Sequence, residues 1–458
     1  MKITVLNGSP KGKDSITLQS VRYLEKEYPQ VQFQVFHVGS RIKKISREER
    51  EREKIVKAVE ESQGVLWIFP VYVFLIPSQL KAFIELLFEK GCREAFQGKY
   101  GAVLMTSVHF YDTSAAEYMR GICHDLGMRY VGEHMAEMYD LLRPRQRKNL
   151  DDFAHQFFDT LTRGLPTEVF CQPIIRPVLD YEPGPLPEGE KGNRRQILLL
   201  TDEEGSVTNL GRMIKTFISL MPCRVKVINI SKINLKGGCL GCLRCGYDNS
   251  CDYKDDMASL HEEYIAPAEA LVFAGTIRDR YLSSRWKMFF DRYFYLGHTP
   301  YLRRKQMAFI FSGPLSQVPV LRNNMEALVQ FNTGNLVGMV TDEYQASQEV
   351  TDLLRALGER LVQALERGQS KPVAFYGLAC HLIFRDFIYR YRGIFRADHL
   401  YYKKHNLYDY PRTNWKRNLR FMFMQRSLSK RRQVQALLLK PIKSFVDTYK
   451  GKNFVELE

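Results

Sequence analysis

Two stretches of this chain alternate short apolar runs with helical patterns, and that alternation restricts the fold more than any other feature. In the first stretch Ile3–Asn7, Val31–Val38, Gly64–Phe69, Tyr100–Thr106 and Arg129–Met138 read as strands. Helical patterns start at about Ser15 and at Ser78, and run through Ala115–Leu126 and Asn149–Leu161. Strands without polar alternation are buried on both faces, so helices must cover both sides of a parallel sheet. Five such units predict an α/β, doubly wound, flavodoxin-like sheet, whose ligand sits beyond the carboxyl ends of its strands.

The pattern then stops and restarts. Gly164–Arg194 carries six prolines, at 166, 173, 177, 183, 185 and 187, and reads as an extended linker. Gln196–Asp202, Arg224–Ile230, Ala270–Thr276, Gln306–Ser312 and Asn335–Val340 repeat the five strands. Ser15-Ile-Thr17 echoes Ser206-Val-Thr208, Ser78–Phe83 echoes Ser284–Phe289, and Val131-Gly132 echoes Val337-Gly338. The shift is 191 at the first echo and 206 afterwards. Echoes in a common order predict an internal repeat. The expected layout is therefore a domain over 1–163, a linker over 164–194, a second domain over 195–368, and a basic, aromatic, mainly helical extension over 369–458.

The turn Asn7-Gly-Ser-Pro-Lys-Gly-Lys-Asp-Ser-Ile-Thr17 joins a buried strand to a helix start. Free N–H groups and the positive dipole end suit an anion there, with Ser9, Ser15 and Thr17 as hydroxyl donors. Asp14 follows Gly12-Lys13, so no P-loop is present, and the Rossmann glycine pattern is absent too. The plain alternative is a strand–helix turn with a capping serine. Downstream of the third strand, Pro70–Lys81 is an aromatic, backbone-rich loop that can bracket a flat ring system; the alternative is a hydrophobic loop covered by the other domain.

Gly-Ser-Pro-Lys together with Pro-Val-Tyr-x4-Pro-x2-Leu-Lys resembles the NADPH-dependent FMN reductase and iron–sulfur flavoprotein families, over about Met1–Gly368. The resemblance implies that Ser9, Pro10, Lys11, Ser15 and Thr17 hold an FMN phosphate, and that Pro70, Val71, Tyr72 and Val73 lie along the isoalloxazine. A third flavin loop is expected at Ser107–Asp112, with Ser107 and His109 as contacts, although the family's glycines are missing there. It also implies NAD(P)H as electron donor and a small acceptor such as flavin or quinone. No catalytic side chain is required, because the cofactors carry the chemistry. In the second domain, Asp202-Glu-Glu-Gly-Ser206 would repel a phosphate, so its flavin site is expected to be weakened or lost. Arg278 and Arg280 have two readings: they grip an NADPH phosphate or the neighbouring flavin, or they form interdomain ion pairs.

Cys239, Cys242, Cys245 and Cys251 have the spacing C-x2-C-x2-C-x5-C. Such packing in a glycine-containing loop favours a metal or redox site over a disulfide framework. Three readings stand: a [4Fe–4S] cluster, as in the iron–sulfur flavoproteins it resembles, an unmetallated loop, or zinc. With flavin loops in one half and cysteines in the other, an intramolecular pseudo-dimer is expected to place FMN beside the cysteine loop, with further homo-oligomerisation open. The competing functional class is a non-catalytic electron carrier or a redox or metal sensor.

The net charge of +16 belongs mostly to the C-terminal part, where Lys371–Glu458 holds 19 Lys/Arg against 6 Asp/Glu. Phe384–Arg396, Trp415-Lys-Arg417 and Lys430-Arg-Arg432 interleave aromatics with cations. This suits an anionic membrane surface, an acidic protein partner, or simply a helical extension with solvated charges. Nucleic acid is not expected, since no recognised module accompanies the charge. The chain has no uncharged apolar run of membrane-spanning length and starts directly in a strand pattern, so the sequence reading is cytoplasmic.

Overall fold

Ten strands form two separate five-stranded parallel sheets in the computed structural model. The structure describes residues 1–409 except 177 and 187–191. In the first sheet β1 (Lys2–Asn7), β2 (Gln32–Phe36), β3 (Gly64–Pro70), β4 (Tyr100–Thr106) and β5 (Arg129–Ala136) lie in the order β2-β1-β3-β4-β5. Its helices are α1 (Ile16–Glu27), α2 (Ile42–Arg47), α3 (Glu49–Glu60), α4 (Ser78–Glu89), α5 (Asp112–Asp125) and α6 (Pro144–Arg163). The second sheet holds β6 (Gly192–Thr201), β7 (Cys223–Asn229), β8 (Ala270–Thr276), β9 (Gln306–Ser312) and β10 (Asn335–Thr341), in the order β7-β6-β8-β9-β10. Around it run α7 (Asn209–Leu220), the short α8 (Cys245–Asp248) and α9 (Met257–Leu260), then α10 (Ser284–Arg292), α11 (Pro319–Phe331) and α12 (Ser347–Arg367). These are two flavodoxin-like α/β domains in tandem. Two further helices follow, α13 (Phe375–Arg390) and α14 (Arg396–Lys404).

The apolar runs account for the sheets. Ile3, Val5, Leu66, Ile68, Ala102 and Leu104 form the first core with α1 and α6. Ile197, Leu199, Val272, Ala308 and Ile310 do the same with α7 and α12. Both closing helices end on a left-handed glycine, Gly164 (φ +64°) and Gly368 (φ +57°), which satisfies the last carbonyls without a Cβ penalty. Several elements run beyond the sequence expectation. α6 starts at Pro144, where the missing N–H costs nothing, rather than at Asn149. α5 starts at Asp112 rather than near Ala115. Helices α2 and α3, rich in charge, carry no expectation at all.

Helices α4 and α10 join the two domains through a local two-fold arrangement. Lys81 Nζ donates to Arg278 O (3.1 Å) and to Glu85 Oε1 (3.0 Å). Lys287 Nζ donates to Tyr72 O (2.8 Å) and to Asp291 Oδ1. Ser284 N donates to Glu85 Oε1 (2.6 Å), and Ser78 N to Asp291 Oδ2 (2.8 Å). Each residue of one set stands 206 positions from its counterpart in the other, which is the pattern of an isologous contact. Both lysines are fully buried, so these bonds satisfy charges that would otherwise be costly.

Residues 1–401 make up one compact unit; of the other, 402–458, residues 402–409 are described. The basic segments Trp415–Arg417 and Lys430–Arg432 lie outside the described residues. Among the described residues no helix is long and apolar enough to cross a membrane.

Candidate functional site

The β1–α1 turn is held from inside. Asn7 Oδ1 accepts Ser9 N (3.0 Å) and Asn7 Nδ2 donates to Gly12 O (2.9 Å), while Gly12 supplies a left-handed φ of +54°. Gly39 packs against this turn so closely that a Cβ would land on the Gly8 carbonyl and within 2.8 Å of Ser9 O. Ser9 Oγ accepts Lys11 N (3.2 Å), and Thr17 Oγ1 bonds Thr106 Oγ1 (2.8 Å). Pro10 is half-buried and Lys11 exposed.

Ser15 differs from these. It stands at the N-cap of α1, is 1 % exposed, makes no capping bond, and its Oγ has no hydrogen-bond partner. A buried hydroxyl beside the free N–H groups of a helix start is a site that an anion completes. The residues of this turn therefore fit a phosphate monoester.

The second domain closes the same place with its own groups. Its strand register sets β6 opposite β1, and its helix start sets Thr208, rather than Ser206, opposite Ser15. Thr208 Oγ1 accepts Gly211 N (3.0 Å) as an ordinary cap. Asp202 stands where the first domain has Gly8, and its carboxylate accepts Ser283 Oγ (2.5 Å) and Trp286 Nε1 (2.9 Å). Burial pushes the Asp202 carboxyl up, with those two bonds opposing the shift.

The β3–α4 loop is a two-residue hairpin. Tyr72 and Leu75 exchange backbone bonds (2.8 and 3.1 Å), with Val73 (φ +35°) and Phe74 (φ +68°) both left-handed. The equivalent hairpin in the second domain pairs Arg278 with Tyr281 across Asp279 (φ +45°) and Arg280 (φ +62°). Non-glycine residues at two such positions are strained and persist because the surroundings fix them. Here the fixing group is the buried lysine of the opposite domain. Val71 N donates to Thr106 O (2.9 Å), so Pro70–Val73, all half-buried, run against the end of β4.

In the β4–α5 loop, Asp112 gathers the polar side chains. Its Oδ2 accepts Ser107 Oγ (3.1 Å) and lies 2.8 Å from His109 Nδ1, and Ser107 Oγ accepts His109 N (2.9 Å). His109 and Tyr111 are left-handed, at φ +56° and +61°, where the family's glycines would be at ease. Phe110 instead packs on Phe74 and Phe384, and Tyr111 on Phe74 and Tyr376, so α13 braces this loop, while Phe331 of α11 packs on Phe74. Sequence reasoning missed this bracing.

The cysteine loop crosses over the β1–α1 and β3–α4 loops of the first domain. Gln79 Nε2 donates to Cys239 O (3.2 Å). A side chain at Gly241 would collide with the Tyr72 hydroxyl and come within 3.3 Å of Lys11 Cε. The Tyr72 phenol is pushed up by burial, and by Cys239 after that. The four sulfurs do not form one ligand set: among the described residues no three His, Cys, Asp or Glu side chains are placed to hold a metal ion. Cys245 Sγ faces Phe294 O (3.6 Å), and Cys251 Sγ accepts from Arg292 Nη2 (3.5 Å). The loop nevertheless gathers the thiols, with Cys245 and Cys242 acting on Cys239, and Cys242 and Cys251 acting on Cys245. Burial pushes the Cys239 thiol up to about 12 and the Cys245 thiol up to about 11, whereas Cys242 is exposed. At mildly alkaline pH we therefore expect iodoacetamide to label Cys242 about a hundredfold faster than Cys239 or Cys245. Time-resolved peptide mass spectrometry measures this; equal rates would contradict the burial of the two thiols.

Arg278 and Arg280 take the ion-pair role, not the phosphate-gripping one. Arg280 makes a two-pronged pair with Asp125 (both 2.7 Å) and donates to Gln172 O (2.6 Å), while Arg278 lies 3.6 Å from Glu89. Asp125 sits at the end of α5, where a guanidinium from the other domain finds a fixed carboxylate.

Residues 1–138 match the NADPH-dependent FMN reductase family. Among curated proteins nothing matches. Among solved structures, an apo NADH:FMN oxidoreductase is 21 % identical, over 36 % of this chain and 91 % of that one, with a TM-score of 0.31. The flavoenzyme NAD(P)H:(acceptor) oxidoreductase from Paracoccus denitrificans is 21 % identical, over 35 % and 97 %, at 0.29. An NAD(P)H:quinone oxidoreductase from Methanothermobacter marburgensis is 14 % identical, over 34 % and 98 %, at 0.27.

Proposed function

We propose that this chain is an NAD(P)H-dependent FMN oxidoreductase that binds one FMN, in its first domain, and passes the electrons to a small acceptor such as a flavin or quinone. The observation that carries the reading is the contrast between Ser15 and its counterparts. Ser15 leaves a buried hydroxyl without a partner at a helix start, while Thr208 and Asp202 are satisfied by protein groups. The family match over residues 1–138 supports the same assignment.

Bound FMN supplies hydride acceptance and the release of electrons to a second substrate. The protein's part is to bind and orient. Ser9, Pro10, Lys11, Ser15 and Thr17 form the phosphate turn, with the first N–H groups of α1 adding the dipole end. Pro70–Val73 form one wall for the ring, and Ser107 and His109, fixed by Asp112, form another. Tyr72 and the Gly241 turn close the site from the side of the second domain. No step is routed through the cysteines.

Ser15→Ala tests the assignment. Without FMN the variant should be as stable as the parent or slightly more so, because it removes a hydroxyl that bonds nothing. With FMN its affinity should fall about tenfold, the loss of one hydrogen bond to a charged group. A fluorescence-quenching titration reads this, and unchanged affinity would remove Ser15 from the site. Bleaching of the flavin band by NADH or NADPH in anaerobic stopped flow tests turnover. FMN binding with no bleaching by either would leave the electron-carrier reading standing. The spectrum of anaerobically purified protein decides the iron–sulfur question on its own, through the broad absorbance that a cluster adds.

A further inference from the structure

Helix α13 is largely apolar, interrupted only by His381, Arg385, Asp386 and Arg390, and Arg385 is itself buried. Yet it buries only one face. Gly377, Cys380, Phe384 and Ile388 pack inward. Phe375 (77 % exposed), Leu378 (43 %) and Leu382 (38 %) stand in solvent, and Tyr389 (56 %) is exposed with Arg392 over its ring. Their spacing of three, four and seven places them in one stripe on the far side of the helix. The carboxylate that borders the stripe, Asp386, is paired with Arg385 at 2.8 Å. Beyond the stripe come exposed Arg390, Arg392 and Arg396, and the sequence past residue 409 adds twelve Lys/Arg against three Asp/Glu.

We propose that this face docks on an anionic lipid bilayer, with the stripe in the headgroup–acyl boundary and the arginines on the lipid phosphates. An apolar stripe bordered by three exposed arginines against one exposed carboxylate, Asp386, carries a net positive rim complementary to such a surface. A second copy would set the same arginines against each other, and the cationic tail carries the same sign, so charge disfavours both as the cover. The proposal does not depend on the flavin reading, because lipid binding is measured without turnover.

The test is co-sedimentation of the full chain with sucrose-loaded vesicles of phosphatidylcholine, with and without phosphatidylglycerol. We expect binding to the anionic vesicles only, weakened by salt. Leu378→Gln/Leu382→Gln should lower the partition coefficient about tenfold or more, since it removes two apolar side chains from the contact. Phe375→Ser, at the most exposed position, gives the same reading should the double variant not fold. Exposed Leu142, in the first domain, is the control, and Leu142→Gln should bind as the parent does. Absence of binding to anionic vesicles at low salt overturns the proposal. So does binding that the stripe variants leave unchanged, which would assign it to the tail's charge alone. A dimer in sedimentation velocity that the stripe variants dissociate also overturns it, since a second copy would then cover the face.

Discussion

Lys287→Ala lowers the unfolding free energy by about 3–5 kcal/mol in chemical denaturation, the cost of leaving a buried carboxylate without its cation. Lys287 and Asp291 are both completely buried, and Asp291 also accepts the backbone N–H of Ser78 from the other domain. Burial holds the lysine down and the aspartic acid up from their ordinary ranges, so each ion depends on the other to stay charged. The damage reaches the first domain, because Tyr72 O loses its donor and the strained Val73–Phe74 turn loses its anchor. Lys287→Met/Asp291→Leu removes both charges and should recover part of the loss. A single-variant loss below about 1 kcal/mol would mean that water reaches the pair.

Gly39→Ala should cost about 1–3 kcal/mol and weaken FMN binding about 10–100-fold, the range expected when overpacking displaces a binding loop. The Cβ would meet the backbone of Gly8 and Ser9, and backbone cannot rotate aside as a side-chain end can. The β1–α1 turn must move, or the strand end must. Gly184 meets nothing within 4 Å, so Gly184→Ala is the matched control and should bind FMN normally. Calorimetric titration with FMN measures both. Normal affinity in Gly39→Ala would show that the β1–α1 turn does not hold the phosphate.

The sheets were legible because their central strands are runs of apolar residues with no second explanation, while the edge strands β2 and β7 alternate polar and apolar positions. Ile3–Leu6 and Val65–Phe69 are buried throughout, so their pattern carries the strand and its burial together. The β1–α1 turn was legible for a related reason, since glycines and hydroxyl residues between an apolar run and a helical pattern mark a strand-to-helix turn, and Ser15 does stand at the N-cap of α1. The hairpins were not. Val73, Phe74, Asp279 and Arg280 are poor left-handed residues by propensity, and what holds them is a lysine from the other domain, a long-range cause that no local window contains. Lys81 and Lys287 would each be placed on a solvated face by composition, whereas both are buried. The shift between the repeats was read as 191 at the helix start, and the helix caps correct it to 193, because Thr208 rather than Ser206 ends the loop. The cysteine spacing brought the four thiols into one neighbourhood, but it did not reveal that Cys245 would open a short helix or that Cys251 would accept from Arg292.

The paired contact between α4 and α10 has a consequence for how such a chain can change. In an assembly of two identical subunits every substitution at the interface is made twice, and it must suit both copies at once. Here the two sides are separate positions. Glu85 faces Ser284 while Asp291 faces Ser78, and Leu80 holds the place on α4 that Trp286 holds on α10. Each side can be revised alone. One domain can thus satisfy its β6–α7 turn with Asp202, Ser283 and Trp286, while the other keeps a buried, unpartnered hydroxyl at Ser15.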